Sequence, residues 1–187
     1  MSVKMYTLEQ IKKIVQSGSH EEKIKMLESS VDASEPKILE MIIQELDDPD
    51  IEIRGEAFSS LLLNENEISD IVLQNLKNQS KNIRGYCALV LANRNEKSAI
   101  PDIIQLTEDE SAMVRSCAVG ALGHLRADEA SFAIQKCLDD SNIEVKKSAI
   151  KSAIDIKDKS LLSKLDALAK ENDPEINNLV ILARNNL

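Results

Sequence analysis

The sequence predicts an all-α protein, a right-handed α-α superhelix of about six helical hairpins and about twelve helices. Two observations carry this prediction: a composition poor in strand-forming residues, and a motif that recurs with a period near 31 residues. Aromatic residues make up 2% of the 187 positions, Trp is absent, and Gly and Pro number 5 and 4. A sheet protein of this size would normally use more Val, Thr, aromatic residues and glycine.

The repeat is clearest at a basic position that recurs at steps of 31, 30, 31, 31 and 31 residues. Four residues before each copy lies a side chain that can cap a helix by accepting hydrogen bonds from its first turn. Each copy therefore predicts the start of a helix, named helix B of its unit, and small residues after it would let neighbouring B helices approach closely. The basic positions are Lys23, Arg54, Arg84, Arg115 and Lys146, with Asn177 equivalent, and the caps are Ser19, Asp50, Ser80, Ser111, Asn142 and Asp173.

A second apolar segment, helix A, precedes each B helix and is joined to it by a turn that is often acidic. Neither helix can bury its apolar face alone, so the pairs are expected to stack into one domain over 1–187. The A helices are predicted at 7–16, 35–46, 67–76, 99–107, 129–138 and 160–170. The approximate units are 1–33, 34–65, 66–95, 96–126, 127–157 and 158–187.

The repeated pattern Asp-x-x-Ile/Val-Arg-x-x-Ala-x-x-Ala-Leu resembles the short HEAT-like repeat of phycobilisome-lyase-type HEAT proteins. The resemblance implies a helical solenoid, and it leaves function open because that family includes scaffolds, bilin lyase subunits, a metal hydroxylase and DNA glycosylase relatives. The residues that carry it are Asp50, Ile53, Arg54, Ala57, Leu61, Ile83, Arg84, Ala88, Leu91, Val114, Arg115, Ala118, Ala121, Leu122, Val145, Lys146, Ala149 and Ala153.

Candidate chemistry is sparse. The hydroxylase relatives hold two irons with His-Glu pairs, whereas the nearest match here is Gly55-Glu56, and the chain has only His20 and His124. We therefore predict no metal, no cofactor and no catalytic residue. The repeated Arg and Lys side chains are interpreted as a structural ladder that pairs with carboxylates of adjacent turns, such as Asp48, Asp109 or Asp140.

Charge and cysteine content limit the partners. The net charge of −9 argues against binding duplex nucleic acid and leaves a basic protein partner open. The acidic turns at 45–52, 108–110, 139–140 and 171–175 are explained first by helix capping and second by docking of such a partner.

Cys87, Cys117 and Cys137 are expected to be buried and reduced, which favours the cytoplasm. The sequence shows neither a leader nor an apolar run of about 18 residues, so we expect no membrane segment.

The predicted function is a non-enzymatic protein-protein interaction scaffold that presents a concave surface lined by B helices. A lyase-type or chaperone-like subunit of an enzyme complex is the alternative, followed by a nucleic-acid repair module, whose basic and aromatic groups are missing. The last helix is apolar on more than one face, so a monomer and a homodimer through that helix both stay open. The candidate surface residues are Glu56, Tyr86, Leu89, Asn93, Cys117, Gly120, His124 and Lys151.

Overall fold

A computed structural model describes residues 6–169 and 173–187 of the chain, and these form twelve α-helices and no β-strand. The predicted all-α fold class is confirmed. Contacts between Cα atoms group the chain into two compact units, Met1–Val90 and Leu91–Leu187, which are taken in turn. The boundary falls inside the sixth helix.

The first unit contains three helix pairs, the last of which continues past its boundary. Within this unit α1 packs on α2, α3 packs on α4, and the two B helices α2 and α4 lie side by side. Its core is aliphatic, with Leu27, Ile43 and Leu61 fully buried. The helices are α1 (Leu8–Ser17), α2 (His20–Ser29), α3 (Pro36–Gln44), α4 (Ile51–Leu63), α5 (Ser69–Gln74) and α6 (Lys81–Asn93).

The second unit repeats this arrangement. The B helices α8, α10 and α12 pack side by side, and each A helix packs on its own B helix. Val114, Val145 and Ile176, which are equivalent positions of the three repeats, are completely buried. The helices are α7 (Ile100–Leu106), α8 (Ala112–His124), α9 (Ser131–Cys137), α10 (Ile143–Asp155), α11 (Leu162–Leu168) and α12 (Pro174–Asn186).

The first A helix, α1, has the predicted length, whereas the other five A helices are shorter than the sequence predicts, because part of each of those segments is a 3-10 turn. Such turns follow α3 and α5 and precede α7, α9 and α11, where bonds between residues three apart tighten the helix end. The end of the predicted helix 160–170, together with 171–172 of the last acidic turn, lies outside the described residues. The 3-10 turns are Glu45–Asp47, Asn75–Lys77, Lys97–Ala99, Asp128–Ala130 and Lys159–Leu161.

The predicted caps are confirmed with one exception. Ser111 stands at the N-cap position of α8, but its side chain makes no cap hydrogen bond. Its own backbone N–H donates to Asp109 Oδ1 at 2.8 Å, so Asp109 orders this turn from outside the helix. The caps whose side chains accept from the first helical turn are Ser19, Asp50, Ser80, Asn142 and Asp173.

Small residues bring neighbouring B helices close, as predicted, and two of them also bond. The buried Ser60 Oγ donates to the Leu27 carbonyl at 3.1 Å, and Ser152 Oγ donates to the Val119 carbonyl at 2.8 Å. Both serines lie six residues after the basic position of their repeat. A side-chain to main-chain hydrogen bond therefore links consecutive B helices in each unit.

Candidate functional site

The repeated arginines hold the turn that precedes their own helix. In Arg54, Arg84 and Arg115, Nη1 donates to the carbonyls of two consecutive residues of the A-to-B turn. The sequence did not indicate this role, because every residue has a main-chain carbonyl and no residue type marks the ones that accept these bonds. The carbonyl pairs belong to Asp48 and Pro49, Asn78 and Gln79, and Asp109 and Glu110, at 2.7 to 3.2 Å.

The predicted ladder between adjacent turns is confirmed at two places. Arg115 Nε and Nη2 donate to the two carboxylate oxygens of Asp140 at 2.7 and 2.9 Å. Lys23 Nζ lies 2.5 Å from Asp48 Oδ2 and 2.8 Å from Glu45 Oε2. Arg115 and Lys23 are thus paired with carboxylates of the fold. These two repeated basic residues therefore have a structural role, because they hold neighbouring turns together.

The pKa values follow from these contacts. The hydrogen bond from Arg115 outweighs burial and holds the pKa of Asp140 below its ordinary value. Burial raises the pKa of Glu45 above its ordinary value, because the nearby Lys23 offsets only part of the desolvation. Burial also opposes ionisation of Asp48, but its hydrogen bonds from Lys23 and a backbone N–H leave its pKa lowered.

The three thiols do not share one environment. Cys87 and Cys137 are buried, as predicted, whereas Cys117 is only half-buried, which corrects that prediction. Cys117 Sγ lies 3.7 Å from Met113 Sδ, one helical turn earlier in α8. Burial raises the pKa of Cys87 to about 12 and those of Cys117 and Cys137 to about 11, so all three are weakly nucleophilic at neutral pH.

The two histidines lie in different surroundings. His124 is exposed at the last position of α8. His20 Nε2 lies 3.1 Å from Glu52 Oε2 and 3.5 Å from Asp50 Oδ2, a contact between α2 and α4 that the sequence did not indicate. Across the described ranges, no group of three or more His, Cys, Asp or Glu side chains is arranged to hold a metal ion.

In the first unit, the candidate surface residues are Glu56, Tyr86 and Leu89, and all three are half-buried. The Tyr86 ring packs against Phe58 of α4, with centroids 5.6 Å apart and planes tilted by 49°. Burial, followed by the charge of Glu28 on α2, raises the pKa of Glu56. The α4 and α6 surfaces thus combine an aromatic pair with a carboxylate.

In the second unit, Asn93, His124 and Lys151 are exposed, while Cys117 and Gly120 are half-buried. Cys117 lines a groove of about 280 Å³ that also contains the first turn of α8 and the start of α10. The remaining lining residues are Ala112, Met113, Ser116, Asn142 and Glu144. The predicted concave surface that would join these residues to those of the first unit stays a prediction.

No helix within the described residues has the length and apolar character required to cross a bilayer.

The comparisons with known proteins agree with the repeat. The family of HEAT repeats matches residues 69–140. The CpcE–CpcF complex of phycocyanin lyase from Nostoc sp. PCC7120 is similar in structure, with a TM-score of 0.59 and 17% identity, over 96% of this chain and 76% of that chain. No curated protein matches in sequence.

Two designed armadillo repeat proteins are also similar. One was designed computationally for modular peptide recognition; its TM-score is 0.58 at 20% identity, over 96% of this chain and 91% of that chain. The other is in complex with the peptide (KR)4; its TM-score is 0.56 at 20% identity, over 95% and 90%. At these identities the likeness concerns the fold alone. Residues 69–140 thus match the family of HEAT repeats, and stacked helix pairs of the same kind occur in the rest of the described residues.

Proposed function

We propose that this chain is a non-enzymatic scaffold that binds another protein through the exposed faces of its B helices. The observation that carries the proposal is that the residues of each B helix fall into two groups with different surroundings. Repeat-forming residues are committed to turns and cores, while residues without a repeat role, above all Tyr86 and Leu89, are left partly accessible. Tyrosine is a frequent anchor of protein interfaces.

Three further features support a protein partner. The net charge of −9 favours a basic protein over nucleic acid. The fold is shared with designed proteins made for peptide recognition. The free thiols Cys87, Cys117 and Cys137 would stay reduced in the cytoplasm, where we place the protein.

Affinity capture from the native host tests the proposal. We expect Tyr86→Ala and Leu89→Ala each to weaken capture of the partner. Phe132→Ala is the matched control, because Phe132 is 68% exposed on helix A of its repeat. Equal capture by all three variants and the unchanged protein would refute binding at this face.

A lyase-type or chaperone-like subunit is the second candidate, favoured by the structural likeness to the phycocyanin lyase complex. It requires a bound chromophore or small ligand. Adding a free bilin to the purified chain and recording its visible spectrum separates the two functions, because a lyase-type subunit would shift the bilin absorbance and a scaffold would leave it unchanged.

The oligomeric state bears on how many partners one assembly can hold. Ile181 and Leu182 on α12 are 55% and 50% exposed, so this helix offers an apolar surface for self-association. Light scattering of the purified chain distinguishes a monomer from a homodimer. In the homodimer case, Leu182→Lys would return the mass to that of one chain.

A further inference from the structure

A cavity of about 390 Å³ lies in the first unit, where the end of α2 meets α1 and the start of α3. This cavity, named the Tyr6 cavity, has a volume within the range of small-molecule sites. Its larger apolar residues are Tyr6, Ile11 and Ile38, of which Ile11 is only 2% exposed. The remaining lining residues are Ser29, Ser30, Asp32, Ala33, Ser34 and Glu35.

The two serine hydroxyls at the end of α2 face a ligand as acceptors. Ser29 Oγ and Ser30 Oγ both donate to the Met26 carbonyl, at 2.9 and 2.7 Å, so their protons are already used. Ser30 is only 7% exposed. A ligand that covers this hydroxyl without donating to it would leave a buried acceptor unpaired, which costs free energy. The cavity therefore favours a ligand with hydrogen-bond donors.

The charge of the Tyr6 cavity is negative. Asp32 and Glu35 are the charged members of its described lining, and both carry carboxylates. The Asp32 main-chain carbonyl accepts from Asn66 Nδ2 at 3.0 Å, but its carboxylate has no partner among the described residues. Glu35 stands at the N-cap position of α3, where its side chain makes no cap hydrogen bond. Both carboxylates are thus available to a cation.

The end of α2 adds to this negative potential. Carbonyl groups at the C-terminus of a helix carry a partial negative charge that a nearby cation stabilises. The last turn of α2 contains no basic residue, and its final residue, Ser29, lines the cavity. A bound cation would therefore meet both the carboxylates and this helix end.

We propose that the Tyr6 cavity binds an aliphatic primary amine. An ammonium group carries three donors and a positive charge, which match the hydroxyl acceptors and the carboxylates. Its alkyl chain would cover the apolar surface of Tyr6, Ile11 and Ile38. Anions are disfavoured by the two carboxylates. This site is separate from the proposed scaffold function, since neither Tyr86 nor Leu89 lines the cavity.

The fluorescence of Tyr6 provides the test. The chain has two tyrosines and no tryptophan, so Tyr86→Phe leaves Tyr6 as the only tyrosine emitter. In this background, hexylamine, which is protonated at neutral pH, should change the emission and saturate. Hexan-1-ol has the same chain without the charge and should bind about tenfold more weakly. Hexylamine that produces neither a saturable change in emission nor saturation transfer from the protein in NMR spectra would overturn the proposal, as would equal binding of the alcohol.

Matched charge variants separate the site from general attraction. We expect Asp32→Asn and Glu35→Gln each to weaken hexylamine binding about threefold, because exposed charges are screened by solvent. Glu40→Gln is the control, since Glu40 is exposed on α3 and lies outside the lining of the cavity. Equal affinities of all three variants would mean that the amine is held by net charge alone, and the site would be wrong.

A lysine of the chain itself is the competing occupant. Lys4 lies two residues before Tyr6 in the sequence and carries the same kind of ammonium group. We expect Lys4→Gln to bind hexylamine with unchanged affinity. A higher affinity of this variant would identify Lys4 as a competitor for the cavity, and a free amine as its occupant would be wrong.

Discussion

Arg115 on α8 and Asp140 in the turn before α10 form a two-point ion pair, with N–O distances of 2.7 and 2.9 Å. The folded state holds the pKa of Asp140 below its ordinary value of 3.8. The pair therefore stabilises the protein above that pH and loses its effect as the pH falls through the lower, folded-state pKa.

We expect Asp140→Asn to lower the free energy of unfolding by about 1 kcal/mol near neutral pH, since it removes charge-assisted hydrogen bonds that are partly screened. Urea unfolding followed by circular dichroism measures the loss, and the difference from the unchanged protein should shrink below about pH 4. Glu129→Gln, at an exposed position, is the control. A deficit that persists undiminished in acid would contradict the assigned cause.

Two glycines three residues apart in α8 should respond to alanine in opposite ways. A Cβ at Gly123 would lie 2.5 Å from Ser152 Oγ and 2.7 Å from its Cα, whereas a Cβ at Gly120 would meet no atom within 4 Å. Gly123→Ala should therefore destabilise the fold by about 1–3 kcal/mol through overpacking. Gly120→Ala should stabilise it by up to about 1 kcal/mol through helix propensity.

Thermal unfolding of the two variants checks this pair of predictions. Both substitutions add one methyl group to the same helix, so each serves as the control for the other. If Gly123→Ala unfolds no earlier than Gly120→Ala, then α8 and α10 do not approach at Gly123 as closely as described.

The sequence was sufficient to predict the B helices, because their signals are local. A cap residue such as Asp50 and a buried branched residue such as Ile53 act within one turn of helix, and the period repeats them. Five of the six A helices were predicted too long, because a 3-10 turn such as Glu45–Asp47 differs from an α-helix in bond pattern and not in residue type.

The contacts that hold the repeats together were only partly predictable. Pairing of Arg115 with a carboxylate follows from charge, whereas its bonds to the Asp109 and Glu110 carbonyls use acceptors that every residue possesses. The partial exposure of Cys117 depends on where α10 begins, which leaves a groove beside it. Such features need the packed structure, since no spacing in the chain specifies them.

Glu56 should be slightly unfavourable to folding when it is ionised. Its pKa is raised by burial and by Glu28, so the folded state binds the proton more tightly than the unfolded state does, and ionised Glu56 lowers the stability at neutral pH. Because Glu56 is partly exposed and solvent screens its charge, Glu56→Gln is expected to raise the free energy of unfolding by no more than about 0.5 kcal/mol. The gain should disappear below about pH 4, where Glu56 is protonated in both states.

Urea unfolding of Glu56→Gln beside Glu65→Gln, at an exposed position in the loop after α4, measures this gain with the same change in net charge. A loss of stability on substitution would instead mean that the Glu56 carboxylate has a favourable contact in the folded protein.

Cys117 should be the first thiol to react with an alkylating reagent, because Cys87 and Cys137 are buried and must wait for local opening. Its pKa, raised to about 11, keeps most of it protonated, so the rate should rise about tenfold per pH unit between about pH 7 and pH 9. Mass spectrometry of digested protein identifies the modified cysteine, and Cys117→Ser should remove the fast phase. Earlier modification of Cys137 would show that the groove beside Met113 is closed in solution and that Cys117 is not accessible to a partner.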